Sequence, residues 1–281
     1  ATLWRRAPGG WEPWAGRDRE HPEVPLPQAR GTLLIECALW PATFWPVPAD
    51  AQAEVVLRGA QIVARDEAAW GAVHDVAVLA DLAAALLQRD DLAGPGKYGF
   101  NPPHDVADPL TRRVLRVLDD AAEAFDRDGV AALRAVCADA FRALPAERWQ
   151  PVAALIGHAH TDCVFRWTED AANRKALHTA ASMLRLHERY PEFRFQHSQP
   201  ALDRAIAAQS PALARRIADA VRAGWWECTG ALEVESDSNL PCGEALARAV
   251  LIGQEQRRGL RGAPARIAWL PDAFGYSAAL P

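Results

Sequence analysis

The chain has 281 residues, half of them hydrophobic, with 31 basic against 36 acidic side chains and a formal net charge of −5. That length suffices for one large domain or one domain with flanking pieces, and the balanced charge, without a basic block or stripe, argues against a nucleic-acid or anionic-membrane partner. Uninterrupted apolar runs such as Val152 to Gly157 are too short to span a bilayer, no charged-then-apolar leader opens the chain, and five scattered cysteines without a CxxC fit a reduced, cytoplasmic protein.

Residues 1–30 are rich in Pro, Gly, Trp and charge, and read as irregular. Two strand-like stretches follow, one within Gly31 to Pro48 (Thr32 to Leu39) and one from Ala53 to Ala64. From Asp66 the rhythm turns helical. Trp70, Val73, Val76, Leu79, Leu82 and Leu86 recur at three- and four-residue spacing. A break from Gly94 to Pro109 precedes two further helices, one on Leu110, Val114, Leu115 and Leu118 and one over Gly129 to Leu144.

After Pro151 strands and helices alternate. Val152 to Gly157 is an apolar run of the buried parallel type, and a helix is expected from Glu169 to Arg189. Phe193 to Ser198 is the next strand, with a helix from Pro200 to Ala223. Trp225 to Val234 is a third strand, Gly243 to Gly259 a helix, and Arg266 to Leu270 a fourth strand. The expected fold is α/β: a partial (β/α) barrel with parallel strands (149–281), preceded by a helical connector (66–148) and a few strands of an incomplete amino-terminal sheet (1–65). Since a closed barrel needs more strands than these, the chain reads as a fragment.

Three strand ends carry residues suited to chemistry, and functional residues of βα folds gather at the carboxyl ends of strands. The first is His158-Ala-His160-Thr-Asp162. Alternate residues of an extended segment share a face, so these three side chains can converge on a divalent metal; histidines bonded to backbone in a loop are the bland alternative. The second is Glu233-Val-Glu235-Ser-Asp237. A carboxylate there could be a ligand, a nucleophile or a general acid, or part of a solvated loop. The third is Trp269-Leu-Pro-Asp272-Ala-Phe-Gly275-Tyr276, where an acid beside aromatic rings could hold a sugar or simply form a packing turn. His178 and His187 fall in a helical pattern and read as surface or packing residues. His197 could line the same face as the site. Nothing marks Cys163, Cys228 or Cys242 as a nucleophile.

These runs, taken in order with Arg174-Lys175, Glu188-Arg-Tyr-Pro-Glu-Phe193, Ser198-Gln199, Trp226-Glu227 and Asp237-Ser-Asn-Leu-Pro-Cys-Gly-Glu244, resemble the catalytic domain of glycoside hydrolase family 38 alpha-mannosidases of the cytosolic and bacterial type. The resemblance covers residues 150–281. It implies a retaining alpha-mannosidase of mannose metabolism, acting on oligosaccharides with terminal alpha-mannose, with a Zn2+ or Co2+ ion held by His160, Asp162 and Asp237. Asp237 would also be the nucleophile, and His158, Phe165, Trp167, Asp272 and Tyr276 would contact the sugar. A homo-oligomer is compatible with it. In that family the acid/base carboxyl and a fourth ligand, a His, come later in the chain, so this piece alone is expected to bind metal weakly and to leave glycosides uncut. Phe165 and Glu233 each stand where the family has a Trp, which points to an altered sugar or linkage preference. A metal-dependent carbohydrate deacetylase-like hydrolase and a non-catalytic sugar- or metal-binding relative are the alternatives.

Overall fold

The computed structural model of the chain describes residues 1–17, 23–26, 31–37, 59–92, 109–143, 153–165 and 167–280. It divides into two compact units, Leu57–Val152 on the one hand and Ala1–Val56 with Ala153–Pro281 on the other.

Leu57–Val152 contains three helices, α1 (Glu67–Leu92), α2 (Pro109–Asp128) and α3 (Val130–Ala143). Asp66 starts α1 by accepting from the backbone N–H groups of Ala68 and Ala69 at 2.9 and 3.0 Å, which satisfies two of the donors that a helix start leaves open. Leu79, Val114 and Cys137, one from each helix, are buried together in the core of this unit. Arg134 on α3 donates to Asp75 on α1 at 3.0 Å. Within α1, the stretch Glu67–Leu87 is long and apolar enough to cross a membrane by length and composition, with a mean hydropathy of 1.5. Continuous apolar runs did not reveal it, because its single charges are spaced out among alanines. Part of the expected second strand, Glu54 to Leu57, and most of the break from Gly94 to Pro109 lie outside the described residues. Gln61 to Val63 is described and forms no strand.

The other unit opens with a hairpin where irregular chain is expected. Strands β1 (Thr2–Ala7) and β2 (Gly10–Gly16) pair antiparallel, and β3 (Leu33–Glu36) pairs with the free side of β1. Pro8-Gly9 forms the two-residue turn between Ala7 and Gly10, where Gly10 has φ 132°, and the Trp residues and several of the charged ones lie within the strands, with Trp14 buried and Trp11 exposed. The hairpin rests on α4 (Glu169–Arg189): Gly16 N–H donates to Ser182 Oγ at 2.8 Å, and the Arg185 guanidinium lies 4.1 Å from the Trp14 ring centroid.

A second sheet has the parallel order β4-β5-β6, from β4 (Gly157–His158), β5 (Phe195–His197) and β6 (Trp226–Cys228). The strands are shorter than their apolar runs. Leu155 and Ile156 are 88% and 55% exposed, against the expectation of a buried strand, because among the described residues β4 is an edge strand paired with β5 alone. Arg266 to Leu270 forms no strand. Gly230, at φ 77°, turns the chain after β6 and leaves one backbone bond to that segment, Gly230 N–H to Ile267 O at 3.1 Å.

Helices α5 (Pro200–Gln209), α6 (Pro211–Arg222) and α7 (Gly243–Arg261) complete this unit. The single helix expected over Pro200 to Ala223 is two. Pro211 cannot donate to the preceding turn and disfavours a helical residue before it, and Ser210 caps the new helix by accepting from Leu213 N–H at 3.4 Å. The core joins α4, α5 and α6 to the sheet through Leu177, Leu202, Ile206, Phe195 and Trp226. Phe195 and Trp226 meet edge to face at 4.6 Å between ring centroids, a contact worth about 0.5–1.5 kcal/mol beyond the area buried.

One buried ionic cluster braces the strand ends. Arg257 on α7, 1% exposed, donates to Asp203 Oδ2 at 2.5 Å, to His197 O at 3.2 Å and to Gly230 O at 3.4 Å. Asp203 also bonds His197 Nδ1 at 2.7 Å. Burial alone would raise the Asp203 pKa, but His197 and Arg257 outweigh it and hold the carboxyl below its usual value. A carboxyl with a depressed folded pKa stabilises the fold above its unfolded value, and that stability is lost as pH falls through the folded value. Asp203→Asn is therefore expected to lower the melting temperature clearly at pH 7, where losing one partner of a buried pair costs about 3–5 kcal/mol. The difference from wild type should narrow only as pH falls through the lowered folded value, where the wild-type carboxyl also takes a proton, and melting curves at pH 7 and at successively lower pH check this.

Candidate metal and glycosidase site

Gln199 gathers the three strand ends. Its side chain is buried, donates to Thr161 O at 2.7 Å, and accepts from Glu235 N–H at 3.1 Å and from the Cys163 thiol at 3.4 Å. One amide thus ties the loop after β4 to the segment after β6. Trp167 Nε1–H donates to Asp162 O at 2.9 Å and fixes the same loop from the other side.

Within this frame His160 Nε2 lies 3.3 Å from Asp162 Oδ1 and 3.6 Å from Asp272 Oδ2. One ligand atom from each of His160, Asp162 and Asp272 falls within 4.8 Å of the others. A nitrogen and two carboxylate oxygens converging in this way suit a divalent cation such as zinc. The other nitrogen of His160, Nδ1, is held by Glu235 Oε2. Burial alone would lower the His160 pKa, but Glu235 and Asp162 together raise it. His158 goes the opposite way: burial lowers it, against the pull of Glu235. Its Nε2 is 3.0 Å from Ser198 Oγ, and its ring meets Trp269 edge to face at 5.3 Å.

The alternation expected for Glu233, Glu235 and Asp237 does not hold. Ser236 N–H donates to Val234 O at 2.9 Å, a tight turn that breaks the extended run. Glu235 is turned inward, its side chain 2% exposed. Glu233 is bound by Arg204 and by Gln256 at 2.7 Å. Asp237 is exposed, and its Oδ1 accepts from the N–H groups of Asn239 and Leu240 at 2.6 and 2.9 Å, outside the His160–Asp162–Asp272 group.

Of the remaining sequence candidates, Tyr276 is exposed with its hydroxyl on Leu270 O at 3.2 Å. Phe165 is exposed and meets Trp167 edge to face, and Trp167 carries Lys175 Nζ 3.4 Å from its ring centroid. Glu235 was one of the three acids weighed at its strand end, and two participants escaped the sequence reading as site residues: Ser198 and Gln199. The Ser-Gln pair directly after a strand was the available signal for both. His197 belongs to the Arg257 cluster rather than to this site. A cavity of about 470 Å³ borders Cys163, Glu169, Asn173 and Arg204, but none of His160, Asp162 and Asp272 lines it.

Among the described residues no cysteine forms a disulfide. Burial, with Glu235 and Asp162 nearby, pushes the Cys163 thiol up to about 11, and burial with Asp203 nearby pushes Cys228 up to about 12. Both are thiols rather than thiolates at neutral pH, hence poor nucleophiles. Iodoacetamide at pH 7 should label the exposed Cys37 and Cys242 and spare Cys163 and Cys228, as peptide mass spectrometry would read.

Comparison with known proteins follows the same boundary as the sheet and its site. The model of the glycosyl hydrolases family 38 N-terminal domain matches residues 150–281. Residues 150–281 belong to that family. "Alpha-mannosidase 2C1" of Homo sapiens is 38% identical over 125 residues, 44% of this chain and 12% of that protein. "Alpha-mannosidase G" of Dictyostelium discoideum is 34% identical over 126 residues, 45% of this chain and 12% of that protein. "Alpha-mannosidase" of Saccharomyces cerevisiae is 32% identical over 127 residues, with the same two shares. The chain thus spans about 12% of the length of these curated relatives. The family 38 segment includes every residue of the site described above.

Proposed function

We propose that this family 38 segment serves a retaining alpha-mannosidase acting on oligosaccharides with terminal alpha-mannose in the cytoplasm, its parallel sheet forming part of a (β/α) barrel. The convergence of His160 and Asp162, after β4, with Asp272 within a glycosyl hydrolase segment is the observation that carries this reading. A divalent cation bound there would supply a Lewis-acidic anchor for two vicinal sugar hydroxyls. His160 and Asp162 would hold it, with Asp272 as the third ligand in the present arrangement. Asp237, the third ligand by family resemblance, would join only by giving up its bonds to Asn239 and Leu240.

Asp237 is the proposed nucleophile. Its carboxylate attacks the anomeric carbon as the glycosidic C–O bond breaks, and a second carboxyl group protonates the departing oxygen. Water, deprotonated by that second group, then displaces Asp237 and restores the configuration. His158 and Tyr276 would flank the sugar.

The full-length protein should release mannose from alpha-mannosides with retained anomeric configuration, read by proton NMR, and should lose turnover on chelation and regain it with zinc or cobalt. Inversion, or turnover untouched by exhaustive chelation, would contradict the proposal. The ligand set makes a separate prediction. Asp272→Asn should weaken zinc affinity by at least about tenfold, while Asp237→Asn should weaken it less; a chelator-competition titration distinguishes the two carboxylates.

A further inference from the structure

Glu235 holds an unusual position. Its carboxylate is almost fully buried, and among the described residues its side-chain partners are His160, Ser198 and His158. Both oxygens are spent on side chains at neighbouring strand ends. Oε2 meets His160 Nδ1, while Oε1 accepts from Ser198 Oγ–H and lies 3.4 Å from His158 Nε2. Its backbone N–H is pinned by Gln199 at 3.1 Å.

An ionised carboxylate only accepts, so its bond to His160 requires the proton on Nδ1. The lone pair of the neutral imidazole then sits on Nε2, the atom facing Asp162 and Asp272. Three acceptor atoms pointed at one another repel unless a proton or a metal cation lies among them. We propose that Glu235 is the positioning residue of the metal site: it fixes the tautomer and ring orientation of His160, and through Ser198 and His158 holds the strand ends that carry the ligands. Glu235 does not touch the cation or the sugar. The proposal rests on the metal reading above and specifies which buried group makes His160 a ligand through Nε2.

Zinc affinity, measured by competition with a chromogenic chelator, tests it on wild type, Glu235→Gln, Glu235→Ala and His160→Ala. Loss of such a supporting carboxylate typically costs 10–100-fold in metal affinity. Glu235→Ala is expected near the upper end and Glu235→Gln, which keeps the shape and one acceptor, near the lower end. Melting curves in excess chelator separate affinity from folding: a purely structural role would lower the metal-free melting temperature while leaving the affinity of the folded protein unchanged. Should the variants fail to fold, wild type alone decides. Nitrogen-15 NMR of the zinc-loaded protein should show His160 with a protonated Nδ1 and a metal-shifted Nε2. Zinc on Nδ1, or a folded Glu235→Ala protein within about threefold of wild-type affinity, a change too small for the supporting role, overturns the proposal. If wild type and His160→Ala take up zinc equally weakly, the metal reading fails first and this inference with it; if only His160→Ala loses zinc, the metal reading stands and Glu235 is judged by its own variants.

Discussion

Asp237→Asn in the full-length protein is expected to cut turnover of alpha-mannosides by at least about a thousandfold, because a nucleophile acts as part of a unit and its loss is not made good by the remaining groups. The substitution preserves an oxygen that can accept from Asn239 and Leu240, so the loop should keep its conformation and the melting temperature should shift little. The smaller variant Asp237→Gly opens room for azide. Azide should restore turnover in it and yield a beta-mannosyl azide: a new C–N bond forms on the face that Asp237 used, and the glycosidic C–O bond breaks. Steady-state kinetics and product NMR read both effects. Wild-type turnover in Asp237→Asn would remove this residue from the mechanism.

The largest effect on folding is expected at Gly230. It has φ 77°, and a Cβ placed there would lie 2.0 Å from Ser198 O and 2.8 Å from Ser198 C. These are backbone atoms at the end of β5, so no side chain can swing away. Gly224 provides the internal comparison: it has φ 80°, but nothing lies within 4 Å of its Cβ position. Gly224→Ala should therefore cost only the left-handed backbone penalty of about 1–2 kcal/mol. Gly230→Ala adds a backbone clash and should cost more than about 4 kcal/mol, the range reserved for disrupted cores and strained backbone. Denaturant unfolding of both variants measures the difference. Similar costs at the two positions would mean that the loop after β6 does not press on the strand end of β5.

The sequence displayed its helices more clearly than its strands. The helix from Glu169 to Arg189 is where its pattern places it, because Thr168 caps it and its apolar faces repeat with the helical period. The break at Ser210-Pro211 was visible in the residues but hidden by an apolar rhythm that continues through both helices. Strands suffered from an opposite problem. Apolar runs such as Val152 to Gly157 and Arg266 to Leu270 report burial potential, while a strand also needs a partner, and only short stretches find one. The amino-terminal hairpin was concealed by its own turn chemistry, since Pro8-Gly9 lies within a segment rich in loop-forming residues.

For the site, the HxHxD run was legible from spacing, whereas Asp272, expected as a sugar contact after a strand, follows a segment that forms no strand. The inward turn of Glu235 and the outward turn of Asp237 were not legible, because they depend on one backbone bond, Ser236 N–H to Val234 O, that cancels strand alternation. The altered position Glu233 also gains a meaning that spacing could not supply. It accepts from Arg204 on α5 and Gln256 on α7, so the carboxylate standing where the family has an aromatic ring ties two helices together.

The most direct test is to trap the intermediate. The full-length protein, zinc-loaded, is incubated with a fluorinated mannosyl fluoride whose glycosyl-enzyme turns over slowly, then digested and sequenced by tandem mass spectrometry. The account predicts a single mannosyl ester on the peptide containing Asp237, formed only when His160 is intact. Enzymatic turnover with no adduct at Asp237, or an adduct on Asp162, Glu235 or Asp272, would contradict it.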